Sequence, residues 1–318
     1  MYGIELTPGI AKEMNVQLVS LFEEGASDAR GGGFAEGVDT DIMQFFYSGT
    51  SDSAENVYVY PAQSFAMHER PDGSDEREID ALDMYESRVR NIDYYRTMGV
   101  RLNDWNDDKI GRYKGVFYQL GEATALAHPR KVADTLRNAK TIVGYDGKAL
   151  LATDHPRKPG TDEGTPWSNL LTQAGGLTVP NFGAAFEAML AFPDEDGHTA
   201  GSVPTHLVVT PKNIGAGFDA LSETPSTLQG GKNPWFGRGV KLAVAQDLVG
   251  VDEWGLIDNR SRMRKPFVFQ SRESIQLRQI TDPLSPIVFL QRKLLYSVDG
   301  RFNAGVGYPS KIIWSKKA

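Results

Sequence analysis

Ile10, Met14, Leu18, Leu21 and Phe22 recur at three- and four-residue intervals, which puts them on one stripe and predicts an amphipathic helix. Thr7 can cap it, Pro8 suits its first turn, and Gly25 is expected to stop it. The stretch that follows, ASDARGGGFAEGVDTD, is small, polar and glycine-rich, so a flexible arm is expected there. The helical period returns in NDWNDDKIGRYKGVFYQLGEATALAHP, where Tyr113, Val116, Phe117, Leu120 and Thr124 share a face. His128 precedes Pro129, which disfavours helix at that point and is expected to end the element. Pro129 then opens a second helix, with Val132 and Leu136 inward.

Elsewhere the pattern is mostly that of strands. Val57 to Tyr60 and Val89 to Val100 are rich in tyrosine and β-branched residues and are expected to be extended. Between them, Glu69 to Glu86 holds eight acidic residues and two basic ones around a PDG turn. A hydrophobic core cannot be built from that composition. The segment is expected to project as a long excursion or hairpin, stable only when something packs against it; a surface loop is the alternative. From Thr178 onward, TVPNFGAAFEAMLAF sets Phe182, Phe186, Met189 and Leu190 on one helical face, THLVVT reads as a buried strand, and Pro211 opens a helix in PKNIGAGFDALSE. VKLAVAQDL, WGLID and PFVFQSR predict strands, and the end of the chain predicts a run of strands with a turn at VDGR. Helices and strands are segregated instead of alternating as βαβ units, which makes the class α+β.

Composition narrows the function classes. The chain has 318 residues, long enough for a sizeable core, and its 40% apolar and 24% charged residues fit a folded protein. No run approaches the ~20 apolar residues that span a bilayer. The N-terminus lacks the basic start and apolar core of a signal peptide, so cytosolic synthesis is expected. Cysteine is absent, which removes disulfides, thiolate metal sites and cysteine nucleophiles together. The net charge of −7 hides an asymmetry: Arg260 to Ala318 carries 12 basic and 3 acidic residues, whereas the first 259 residues carry 22 and 38. Such a distribution does not suit a dedicated DNA-binding protein, but it suits copies whose opposite patches meet one another.

One stretch, YDGKALLATDHP, crowds Asp146, Asp154 and His155 into ten residues and raises the question of an acid–base or metal site. Asp-Gly flanked by apolar residues is a strong signal for a tight hairpin whose two central residues take positive φ, so Asp146 has a backbone role available. Pro156 restricts His155 to extended conformations, and Asp154 and His155 are expected to fix a backbone corner. No spacing offers a third and fourth ligand, so no metal or cofactor is expected. RGGGFAEG and LQGGKNPWFGRG match neither phosphate-binding glycine motif, and no G-x-S-x-G elbow occurs. RSRMRKP could touch phosphates, and a charged loop before a strand is the simpler account.

Several segments together resemble the gpT family of Mu-like phage major head proteins: YDGKALLATDHP, Asn169-Leu170, THLVVTP, WGLID, PFVFQSRES and SVDGRFNAGVGYPSKIIWS, in that order. The resemblance covers roughly Asp104 to Ser315. It implies the tailed-phage major capsid protein fold: an N-terminal arm over 1–50, an extended loop over 51–104, a peripheral domain over 105–140 and 261–318 with a spine helix at about 107–127, and an axial domain over 141–260. It implies a structural subunit and no enzyme, self-assembling into hexamers and pentamers of an icosahedral shell around double-stranded DNA held without sequence specificity. Scaffolding, portal and decoration proteins would be further partners, and the location a virion capsid built in the host cytoplasm. Contacts between copies are expected at Glu69, Asp72, Asp75, Glu76 and Glu78 against Arg262 and Arg264. The alternatives are a metal-dependent hydrolase using Asp146, Asp154 and His155, or another phage head or tail structural protein.

Overall fold

The computed structural model describes residues 8–31, 38–62, 83–106, 111–161, 164–228, 231–282 and 284–317. In chain order the elements begin with α1 (Pro8–Gly31), β1 (Val38–Asp39), β2 (Phe46–Thr50), β3 (Glu55–Pro61), β4 (Met84–Arg90) and β5 (Ile92–Arg101). There follow α2 (Leu102–Asn106), α3 (Gly111–Ala125), α4 (Ala127–Arg137), β6 (Leu170–Gln173), α5 (Val179–Leu190), β7 (His206–Val209) and α6 (Ile214–Leu221). The chain ends with β8 (Lys241–Val244), β9 (Glu253–Ile257), β10 (Phe267–Ile280), α7 (Pro286–Gln291), β11 (Lys293–Val306) and β12 (Ile312–Lys317). Two compact units divide it: residues 1–33, 91–131 and 271–303 form the first, and residues 34–90, 132–270 and 304–318 the second.

In the first unit, α1 lies against α3 at a glycine crossing. A Cβ on Gly25 would stand 2.1 Å from the Tyr118 carbonyl oxygen, and one on Gly121 would stand 2.0 Å from that of Phe22. Gly25 therefore does not stop the first helix, which continues to Gly31 through residues expected to be a flexible arm. Its absent side chain admits a neighbouring backbone instead. Leu18, Phe117, Val100, Val288, Leu294 and Tyr296 form the core of this unit. Val116, placed on the inward face by its spacing, is 42% exposed. The break after α3 falls at Leu126, and His128 and Pro129 lie inside the first turn of α4, where a missing N–H costs nothing.

The C-terminal expectations need two corrections. Pro286–Gln291 is helical, closed by Arg292 at φ 50°. The VDGR turn does not form, because β11 runs unbroken for 14 residues. Val298, Asp299, Gly300 and Arg301 stand opposite Arg96, Tyr95, Tyr94 and Asp93 of antiparallel β5. Gly300 serves a close approach, since a Cβ there would meet Ile275 Cγ1 at 2.7 Å. Long-range pairing has overruled a local turn signal.

The second unit is built on a six-stranded mixed sheet in the order β1-β8-β7-β9-β12-β6. β7 and β8 are parallel, β7 and β9 antiparallel, β9 and β12 antiparallel, and β12 and β6 parallel. The β7 strand is buried at all four positions, as expected for a continuous apolar run. Helix α5 starts where Thr178 accepts a hydrogen bond from the Asn181 N–H, and it buries Phe182, Phe186 and Met189 on Leu207, Val209, Leu242, Leu256 and Ile313. The mixed sheet with its helices is of the α+β class, although β7, α6 and the parallel β8 form one strand–helix–strand unit where none was expected. Separately, β3 and β4 form a two-stranded antiparallel ribbon, with Val57 opposite Arg88 and Val59 opposite Glu86.

Candidate functional site

The segment that raised the catalytic question folds into a turn and a buried corner. The Gly144 N–H donates to Lys148 O at 2.7 Å and the Gly147 N–H to Gly144 O at 3.3 Å, with an isolated bridge between Val143 and Ala149. Only Gly147 takes positive φ, at 78°; Asp146 does not, so the loop is three residues with a left-handed glycine and not the two-residue turn expected. A second turn repeats this pattern. Asp194 N–H donates to His198 O at 2.7 Å, Gly197 lies at φ 88°, and Pro193 bridges Thr199.

The first turn aims Asp146 inward. Its Oδ2 lies 2.6 Å from His155 Nδ1, and His155 Nε2 lies 3.1 Å from Asn169 Oδ1. His155 is fully buried and Trp167 stacks on its ring at 4.8 Å. Asn169, also buried, receives the Ala152 N–H and donates its amide protons to Leu150 O and Pro309 O at 2.7 and 3.1 Å. Asp, His and Asn in a chain have the outline of a catalytic relay. Here the chain ends in backbone carbonyls instead of a nucleophile, and no face of the imidazole is open to a substrate. Asn169 was not foreseen as a partner; its distance in sequence carries no periodic signal.

Asp154 is not part of this corner. Its carboxylate is mostly exposed and pairs with Lys148, whose hydrogen bond is the main cause holding its pKa below the usual range. Among the described residues no group of three His, Asp or Glu side chains could hold a metal ion. The corner thus belongs to Asp146 and His155, not to Asp154 and His155. Asp146→Ala is expected to cost about 3 kcal/mol, because it strands a buried donor. Asp154→Asn is expected to leave the urea midpoint unchanged. Urea titration of both variants by tryptophan fluorescence checks the contrast, and equal losses would reinstate Asp154.

A second feature is the β3–β4 ribbon. Its inner face is anchored: Tyr58 Oη donates to Gln270 Oε1 at 3.0 Å, Tyr60 Oη donates to Val306 O at 3.2 Å, and Tyr60 stacks on Tyr145 at 4.5 Å. Burial, then the neighbouring Tyr308 and Tyr58, push the Tyr60 pKa up. Its outer face carries exposed Val57, Val59 and Met84 beside Glu86 and Arg88. A two-stranded ribbon is marginal alone, and apolar residues on its free face suit a covered surface.

The basic loop before β10 divides its charges. Arg260 bonds Asp258, and Lys265 bonds the Asn259 side chain, so both serve the fold. Arg262 is exposed, and Arg264 lies over the Tyr308 ring at 5.5 Å. Tyr47, Tyr58, Tyr60, Tyr308 and Arg264 line a cleft of about 310 Å³ here. The acidic candidates Glu69, Asp72, Asp75, Glu76 and Glu78 lie outside the described residues.

Comparison with known proteins bears on what these surfaces serve. The family described as Mu-like prophage major head subunit gpT matches residues 43–178 and 241–318. The major capsid protein of Escherichia phage Mu is 26% identical over 107 residues, which cover 33% of this chain and 35% of that protein. The Mu-like prophage FluMu major head subunit of Haemophilus influenzae is 21% identical over 306 residues, 95% of this chain and 72% of that protein. Among solved structures, a chain of the procapsid of bacteriophage JBD30 superposes with a TM-score of 0.56 at 17% identity, covering 98% of this chain and 77% of that one. The fold is that of tailed-phage capsid proteins.

Proposed function

The chain belongs to the Mu-like prophage major head subunit gpT family, and from that premise we propose that it is a major capsid protein whose copies tile an icosahedral shell. The family match over two separated segments carries this conclusion. The shell would be built of hexamers and pentamers, would hold double-stranded DNA without sequence specificity, and would form in the host cytoplasm with scaffolding, portal and decoration proteins. Nothing in this role requires catalysis, and the closed Asp146–His155–Asn169 corner agrees with that. The hydrolase alternative finds no support, because Asp154 pairs with Lys148 while His155 is taken up by Asp146 and Asn169.

By segment, the proposed division is an arm over 1–50, an extended loop over 51–104, a peripheral domain over 105–140 and 261–318, and an axial domain over 141–260. The extended loop would include the β3–β4 ribbon. Its acidic stretch, with Glu69, Asp72, Asp75, Glu76 and Glu78, would meet Arg262 and Arg264 of a neighbouring copy. Charge complementarity supports this pairing, since like charges in a wrong register cost energy. Specific interfaces bury on the order of 1,200–2,000 Å², and a projecting ribbon adds such area without enlarging the core.

Negative-stain imaging and light scattering of the purified protein test the role. Rings, tubes or shells are expected, and a stable small monomer under all assembly conditions would overturn it. Glu76→Lys with Glu78→Lys is expected to block particles while the circular dichroism of the subunit stays unchanged. Normal shells from that variant would remove the acidic stretch from the interface and leave the capsid role standing.

A further inference from the structure

His155 makes two hydrogen bonds that a neutral imidazole cannot both donate. Nδ1 faces the Asp146 carboxylate at 2.6 Å, and Nε2 faces Asn169 Oδ1 at 3.1 Å. The Asn169 amide cannot be turned round. Its Nδ2 supplies protons to two carbonyls, Leu150 O and Pro309 O, and its Oδ1 already accepts the Ala152 N–H. Exchanging oxygen and nitrogen would set oxygen against two carbonyls and nitrogen against an N–H. Nε2 must therefore donate, and the carboxylate demands a donor at Nδ1.

We infer that His155 is a buried imidazolium, doubly protonated between Asp146 and Asn169, and that this cation is the staple joining the 146–155 turn to the Pro309 turn before β12. Asp146, 5% exposed, supplies the compensating charge that a buried cation requires. The Trp167 face stacked on the ring at 4.8 Å adds a second favourable surface for a cation. With both nitrogens protonated the ring has no lone pair to offer, so His155 is closed to metal ions as well as to catalysis. The staple also connects distant parts of the chain, since the Trp314 N–H donates to the backbone oxygen of the same Asn169 at 2.8 Å.

Nitrogen NMR of histidine-labelled protein reads this state directly. At neutral pH one ring is expected to show two N–H nitrogens with slow solvent exchange, assigned by its loss in His155→Gln. Asp146→Asn is expected to convert that ring to one N–H and one bare nitrogen, a change that packing alone would not produce. Zinc added to the unsubstituted protein is expected to leave the signal in place. An unsubstituted protein in which none of the five imidazoles shows two slowly exchanging N–H nitrogens at neutral pH would overturn the inference and place the proton on Asp146. Because that measurement needs no variant, it decides the matter even where a substitution prevents folding.

Discussion

Gly121→Ala is expected to destabilise the subunit by at least about 3 kcal/mol, whereas Gly115→Ala in the same helix is expected to stabilise it by up to about 1 kcal/mol. Helix propensity alone favours alanine at both positions. The two differ in what a methyl group would meet. At Gly115 nothing lies within 4 Å of the added carbon, while at Gly121 the Phe22 carbonyl carbon and oxygen stand at 2.9 and 2.0 Å. Backbone cannot rotate out of the way as a side chain can, so α1 and α3 must separate. The separation would uncover Leu18 and Phe117, both fully buried. Gly25→Ala should act in the same way against Tyr118 O. The double variant should cost less than the sum, because helices already parted have no contact left to lose. Urea unfolding of the unassembled subunit, followed by circular dichroism, measures all four. A neutral Gly121→Ala would mean that the crossing is loose.

The glycines also show how far the sequence could be read. Periodic apolar positions located α1, α3, α5 and the buried β7 correctly, because burial of one face is repeated along each element and does not depend on its neighbours. Single punctuating residues were less dependable. Asp146-Gly147 and Asp299-Gly300 are the same dipeptide, each followed by a basic residue, yet one forms a turn and the other sits inside β11. The difference lies in pairing with β5, a segment about 200 positions away in sequence, and in the contact with Ile275. Gly25 likewise looked like a helix stop because the residue it accommodates, Tyr118, is nowhere near it in the chain. At the corner, Asp146 and His155 were legible as a close pair, but the role assigned to Asp154 was not its own. Proximity along the chain could not say which carboxylate turns inward. The family resemblance pointed to Asn169 only as part of a motif, without its bonds.

Lys311→Met is expected to cost about 3–5 kcal/mol, among the largest effects available in the second unit. Lys311 and Asp258 are 6% and 1% exposed at their side chains and meet at 2.9 Å. Lys311 Nζ also reaches Ser202 Oγ at 3.2 Å, and the Asp258 N–H donates to Lys311 O at 3.0 Å. Burial works against an ionised Asp258, but hydrogen bonds from Arg260 and Lys311 outweigh it and hold the carboxyl well below its usual pKa. A folded-state value below the unfolded value, about 3.9, gives stability that is fully present above that pH. It is lost as the pH falls through and below ~4, when unfolding lets the carboxyl take up a proton. Removing Lys311 leaves a buried carboxylate with Arg260, which is half exposed and screened by water, as its principal charged partner. Asp258→Leu together with Lys311→Met should recover part of the loss, because no charge then remains stranded, although the Val203 N–H loses its acceptor at 3.3 Å. A double-mutant cycle by urea unfolding at pH 7 and pH 3 separates these contributions. The coupling should be largest at pH 7 and only partly reduced at pH 3, where the folded carboxyl is still ionised; a coupling independent of pH would show that packing, not charge, holds β9 to the turn before β12.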